Sequence, residues 1–293
     1  MLRFHGRDRE SPIERVEGRT LRRAVRLDGQ VKVLSLAFRG GRVDCRIESG
    51  AAAGTGPGGR RARRALPGGG TGADARRIVR RLLRLDLDTE AFELRAMRDP
   101  RLGPHVRRRR GLRIPQTSNV FEGLVWAIVG QQVNLSFAFR LRRRVIALAG
   151  EKLADGMMAH PTPEAVARLD YDDLTKQQFS RRKAEYLIDT ARLIAAGRLD
   201  IETFPDRPAG EVEAELLAVR GIGPWTARYV MMRSCGFPDC VPVGDAGLIA
   251  ALARLYGLRK RPDVTKTRRL LRPFAPHRSL ATFHFWMTLG GPA

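Results

Sequence analysis

Residues 219–245 read VRGIGPWTARYVMMRSCGFPDCVPVGD, and the order of chain breakers and helix formers within them decides the fold. A helical run from Glu211 to Arg220 breaks at Gly221-Ile222-Gly223. A second helix restarts with Pro224 at its first position, where a missing N–H costs nothing. Two glycines around one apolar residue let the backbone turn tightly and come close to a partner. The amides that open the new helix point outward and suit a phosphate oxygen, while Ile222 plugs the turn into the core. Trp225 and Tyr229, four apart, share one face of the second helix. A loop rich in Gly and Pro, Cys235 to Gly244, then delivers a single carboxylate, Asp245, and AGLIAALARLYG beyond it reads as another amphipathic helix. The interval from Gly223 to Asp245 holds one helix and one loop, so the carboxylate can return close to the turn.

Upstream, Asn119 to Val129 reads as a helix with Asn119 as N-cap, Glu122 three residues on, and an apolar stripe of Phe121, Leu124, Val125 and Ile128. Gly130-Gln131-Gln132-Val133-Asn134 interrupts the pattern before a helix resumes over Leu135–Ala149. By pattern alone this is a helix–helix corner. Further helices are expected over Pro163–Leu169, Tyr171–Leu174 and Lys183–Ala196, with Arg181-Arg182-Lys183 as a solvated helix start. Short helices broken at Pro262, Pro273 and Pro276 follow, and Leu280–Leu289 closes the pattern with Trp286 in it.

The N-terminal part has a different period. From Ile13 to Glu48 the residues alternate, and Asp28-Gly29 and Gly40-Gly41 are hairpin signals between β-rich runs. An antiparallel meander is expected, with Val31, Val33, Leu36 and Phe38 toward a core. Gly50–Gly72 is dominated by Ala, Gly, Arg and Pro and is expected to form a disordered loop. Ala75–Leu85 reads as a helix that turns Ile78, Leu82, Leu83 and Leu85 toward the core and packs on the meander. The fold class expected is α+β, with a sheet-and-helix domain over 1–88 and a mostly helical domain over 89–293.

Lys and Arg number 54 against 31 Asp and Glu, a net charge of +23, which points to a polyanion and above all to nucleic acid. Three cysteines without ligand spacing imply a reducing compartment, and the five histidines pair neither with one another nor with cysteine at metal-ligand spacing, so no metal is expected. Met1–Pro12 lacks the apolar region of a signal peptide, and no apolar run reaches the roughly 20 residues of a spanning helix. A cytoplasmic, nucleoid-associated protein without membrane contact is expected.

With these residues in view, the chain resembles the helix-hairpin-helix DNA glycosylases (HhH-GPD) that carry a Gly/Pro-rich loop and one catalytic Asp, and within them the 3-methyladenine DNA glycosylase II type. The resemblance runs from about Arg76 to Leu289, on GLRIPQTSNVFEGLVWAIVGQQVN (Gly111–Asn134), GIGPWTARYVMMR (Gly221–Arg233), VPVGD (Val241–Asp245) and FHFWMTL (Phe283–Leu289). It implies a monofunctional glycosylase that extrudes an alkylated nucleotide and hydrolyses its N-glycosidic bond. Asp245 would stabilise the oxocarbenium charge at C1′ and orient the water. Trp225, Tyr229 and Trp286 would supply electron-rich rings that favour a cationic base. Gly221, Ile222 and Gly223 would grip a DNA phosphate, and Gln131 or Gln132 would fill the gap left by the extruded nucleotide, Gln132 standing where close members often carry Leu. Members that also cleave the strand carry Lys where this chain has Trp225, and others hold an iron–sulfur cluster on C-terminal cysteines that this chain lacks. The resemblance implies a monomer acting on double-stranded DNA with damaged bases, and no cofactor apart from a monovalent cation at the hairpin.

Other readings stay open at this point. The lesion could be hypoxanthine, uracil or an oxidised purine, since pocket shape sets that choice. The hairpin could serve a non-catalytic DNA-binding protein, or the basic surface could have a purely structural role.

Overall fold

The computed structural model describes residues 1–48 and 70–289. By packing, these fall into two compact units that interleave along the chain. One comprises Leu2–Leu82 and Ile128–Asp200, the other Leu83–Ala127 and Ile201–Ala293 together with Met1.

The first unit is built on a four-stranded antiparallel sheet in the order β1 (Glu14–Glu17), β2 (Thr20–Leu27), β3 (Gln30–Arg39), β4 (Arg42–Glu48). Its hairpins turn where the sequence signals stand. Asp28 and Gly29 have φ of 47° and 74°, and Gly40 and Gly41 have 47° and 83°, the left-handed pair that matches the twist of the strands. Val31 and Val33 are buried on one face of β3 and Leu34 and Leu36 on the other, so the strand is covered on both faces. Phe38, expected in the core, is only half-buried. The face carrying Ala24, Val31 and Val33 forms one cluster with Leu153, Met157 and Ala159. A division of the chain at residue 88 therefore does not describe the packing: the sheet completes its core with residues far downstream.

A helix spans Gly70–Leu83, so the last three residues of the loop expected over Gly50–Gly72 are helical; the rest of that expectation lies outside the described residues. Its inward residues are Ala75, Val79, Leu82 and Leu83, while Ile78 is half-buried and Leu85 is exposed. The cause is Arg84, whose φ of 51° ends the helix one residue before Leu85 could join its apolar face. Helices Leu135–Ala149, Pro163–Ala167 and Arg181–Ala195 are opened by Asn134, Thr162 and Ser180, whose side chains accept the amides of Phe137, Ala165 and Lys183.

The second unit is helical around a phenylalanine-rich core that includes Phe92, Phe121, Phe204, Phe274, Phe283 and Phe285. Helix Val120–Val129, most of which belongs here, starts as expected, with Asn119 Oδ1 accepting the Glu122 amide at 2.8 Å. Glu122 reaches back to Ser118 N at 3.0 Å rather than to Asn119, which lengthens the capping box by one residue. Helix Pro224–Val230 continues into a π turn, Met231–Cys235, that ends at Gly236 in the left-handed region (φ 79°). Gly123 faces this turn so closely that a Cβ there would lie 1.7 Å from Ser234 Oγ. Absence of a side chain at 123 is what lets the two helices approach, and Trp126 follows on the same helix.

Candidate active site

The hairpin forms as the sequence implies, with its first helix at Ala209–Ala218 because Val219 is already extended. The Ile222 amide donates to Val219 O at 3.0 Å, and Ile222 itself is 4% exposed, the plug of the turn. The two glycines have different reasons to be there. Gly221 sits at φ 89°, where an L side chain is strained. Gly223 is extended (φ −91°, ψ 176°), is exposed, and has nothing within 4 Å of where a Cβ would stand. Among the described residues, nothing requires glycine at 223.

From that turn, helix Pro224–Val230 sends Trp225 and Tyr229 to one side, their ring centroids 5.3 Å apart. The Tyr229 ring also lies 6.0 Å from that of Trp286, which comes from helix Arg278–Trp286. The Tyr229 hydroxyl accepts a hydrogen bond from Trp126 Nε1 at 2.7 Å. All three tryptophans of the chain thus converge on one tyrosine. Tyr229 is buried at 8% exposure, whereas Trp225 and Trp286 are half-buried.

Asp245 closes the arrangement. Gly244, at φ 92°, turns the chain into helix Ala246–Leu255, and Asp245 caps that helix, its Oδ1 accepting the Leu248 amide at 2.6 Å. The same Oδ1 accepts Trp286 Nε1 at 2.8 Å, and Oδ2 accepts Trp225 Nε1 at 3.2 Å. Capping and the ring cluster are therefore joined: the carboxylate is held by one backbone and two indole N–H groups, in a fixed orientation between the two half-buried rings. Gly247 completes the fit, since a Cβ there would stand 3.2 Å from Asp245 Oδ1 and 3.4 Å from Trp286 Cδ1.

Asp245, Trp225, Tyr229, Trp286 and the Gly221-Ile222-Gly223 turn all lie in one unit. Gln131 and Gln132 belong to the other, at the corner between helices Val120–Val129 and Leu135–Ala149, with Gln132 exposed and at φ 53°. Among the described residues, no group of three or more His, Cys, Asp or Glu could hold a metal ion, and no helix is long and apolar enough to cross a membrane. Sequence reasoning did not single out Trp126 or Gly247. The scarcity of tryptophan in the chain was the one available signal for Trp126.

Fold and site together define a hairpin protein that sets one carboxylate in a cluster of aromatic rings. Residues 125–276 match the HhH-GPD superfamily base excision DNA repair proteins. A DNA-3-methyladenine glycosylase of Bacillus subtilis (strain 168) is 35% identical over 208 residues, 70% of this chain and 69% of that protein. The solved structure of a DNA-3-methyladenine glycosidase from Bacillus halodurans is 31% identical, with a TM-score of 0.55 over 70% of this chain and 92% of its own. A 3-methyladenine DNA-glycosylase from Archaeoglobus fulgidus shares the fold at a TM-score of 0.80 and 24% identity, over 98% of this chain and 93% of its own. The chain belongs to the HhH-GPD superfamily.

Proposed function

We propose that this protein is a monofunctional DNA glycosylase of base excision repair that hydrolyses the N-glycosidic bond of alkylated bases of the 3-methyladenine type. The observation that carries the reading is the Asp245 carboxylate, held by the indole N–H groups of Trp225 and Trp286 at the edge of the aromatic cluster.

Its partner is DNA. The proposed substrate is a duplex with a damaged base, taken up by a monomer. The glycosidic bond is out of reach inside the stack, so the nucleotide is extruded first. Backbone amides at Gly221–Gly223 hold a phosphate without reading sequence, and Gln131 and Gln132 fill the vacated position. A base methylated on a ring nitrogen is cationic, and the faces of Trp225, Tyr229 and Trp286 attract it by roughly 0.5–2 kcal/mol per contact. As the bond breaks, positive charge grows at C1′, and the fixed Asp245 carboxylate stabilises that charge and orients the attacking water. No protein nucleophile takes part, because the position from which an amine would attack carries Trp225. No cofactor enters a step; a monovalent cation at the hairpin would bind backbone carbonyls there and serve only phosphate binding.

The test uses purified protein on duplexes that each carry one defined lesion, followed by alkaline cleavage of abasic sites. Release of 3-methyladenine without strand cleavage before alkali is expected. Cleavage before alkali, or release of only uracil or an oxidised purine, would replace the reading.

A further inference from the structure

Lys183 was expected as part of a solvated helix start, and the structure buries it. It is 8% exposed, and its Nζ donates to Val129 O and to Gln131 O, both at 2.9 Å. Those carbonyls belong to the C-terminus of helix Val120–Val129 and to the corner that follows it.

Within its own helix nothing favours this placement. Lys183 lies in the first turn of helix Arg181–Ala195, where the helix dipole disfavours a cation. Its burial also strips water from an ammonium, which lowers its pKa. Both penalties are offset at the far end of the side chain, where the last carbonyl of helix Val120–Val129 and one from the corner beyond it accept its hydrogen bonds. What the contact fixes is the backbone next to Gln132, an exposed residue with φ 53°. A non-glycine residue in the left-handed region persists when its surroundings over-determine it, and such residues cluster at sites of function. The corner is pinned from both sides: Lys183 holds Val129 and Gln131, and Asn134 accepts the Phe137 amide at 2.9 Å to start the next helix.

We infer that Lys183 is a positioning residue for base extrusion, holding the Gly130–Asn134 corner so that Gln132 stands rigidly toward the DNA stack. This rests on the reading of Gln132 as the gap-filling residue. Lys183 is buried against the backbone of Val129 and Gln131, so its removal is expected to affect the step that opens the duplex and to spare the step that breaks the bond.

The experiment compares single-turnover excision of 3-methyladenine in two duplexes, one with the lesion paired and one with it in a single-nucleotide bulge, where extrusion costs little. Wild type, Gln132→Ala, Lys183→Met and Lys183→Gln are measured, with Tm of each protein. Excision of the paired lesion is expected to fall about tenfold in Gln132→Ala and Lys183→Met, equivalent to about 1.4 kcal/mol, with less than about threefold loss on the bulge. Lys183→Gln keeps a hydrogen-bonding terminus and gives the same bias in smaller measure, so it carries the test if Lys183→Met does not fold. Equal loss on both duplexes in the Lys183 variants would make the residue merely structural and overturn the inference. A biased Gln132→Ala beside unbiased Lys183 variants would overturn the inference alone. An unbiased Gln132→Ala would remove the gap-filling reading and the inference with it.

Discussion

Trp286 performs two tasks that a single substitution can separate. Its indole N–H donates to Asp245 Oδ1 at 2.8 Å, and its ring lies 6.0 Å from that of Tyr229 and 6.4 Å from that of Phe283. Trp286→Phe keeps an aromatic ring and removes the donor, whereas Trp286→Ala removes both. A hydrogen bond to a charged group contributes about 1.5–3 kcal/mol. Two donors, Trp225 Nε1 and the Leu248 amide, remain on the carboxylate in Trp286→Phe. The net loss of orientation is therefore put at about 1–2 kcal/mol, a fall of roughly 5- to 30-fold in the chemical step. Trp286→Ala loses a further ~0.5–1.5 kcal/mol of ring pairing, along with the attraction to a cationic base. The assay is single-turnover excision on a methylated duplex and on one carrying hypoxanthine. Trp286→Phe should slow both by a similar factor, because the carboxylate serves both. Trp286→Ala should harm hypoxanthine further than 3-methyladenine, whose labile bond needs less positioning. Wild-type rates in Trp286→Phe beside an inactive Trp286→Ala would refute the role given to the N–H and leave only the ring.

At the hairpin, Gly221→Ala should lower stability by about 1 kcal/mol, because φ 89° strains an L residue. Gly223→Ala has open space and should leave Tm unchanged while weakening binding to lesion and unmodified duplexes alike; a Gly223→Ala protein that binds both normally would remove the phosphate grip. His284 is fully buried with neither ring nitrogen hydrogen-bonded, and burial, reinforced by the nearby Arg109 and His105, pushes its pKa down to about 3. A pKa below the unfolded value means stability is fully present above pH 6.5 and is lost as pH falls from there toward 3; at pH 5 the loss is about 2 kcal/mol. Thermal melts of wild type and His284→Phe from pH 7.5 to 4.5 check it, and parallel curves would count against it.

Much of this architecture was legible because its signals are local. Asp28-Gly29 and Gly40-Gly41 demand positive φ, Asn119 and Asp245 cap the helices that follow them, and Pro224 restarts a helix after Gly223. Each such signal concerns backbone within a few residues, which a sequence states directly. Partnerships across long stretches of chain were not stated there. Trp126 meets Tyr229 across 103 residues, and its position in an apolar helix gave no hint of the hydroxyl it would find. Lys183 looked like one cation among many, since only the fold brings Val129 O and Gln131 O to it. The interleaving of units was hidden for the same reason, because Leu153, Met157 and Ala159 complete the core under β2 and β3 from a segment that reads as ordinary loop. Leu85 was misassigned by helical periodicity because Arg84 leaves the helix with a conformation its residue type does not announce.

In the proposed mechanism the Asp245 charge acts on the transition state while the duplex is held elsewhere. Asp245→Asn keeps the side-chain shape and an oxygen that can still accept the Leu248 amide at the helix cap, and it removes the charge. The direct measurement is single-turnover base release by Asp245→Asn alongside its equilibrium binding to the same lesion duplex. Base release is expected to fall by at least about 100-fold, more than about 2.7 kcal/mol of transition-state stabilisation, with binding within a few-fold of wild type. Base release at the wild-type rate would contradict it.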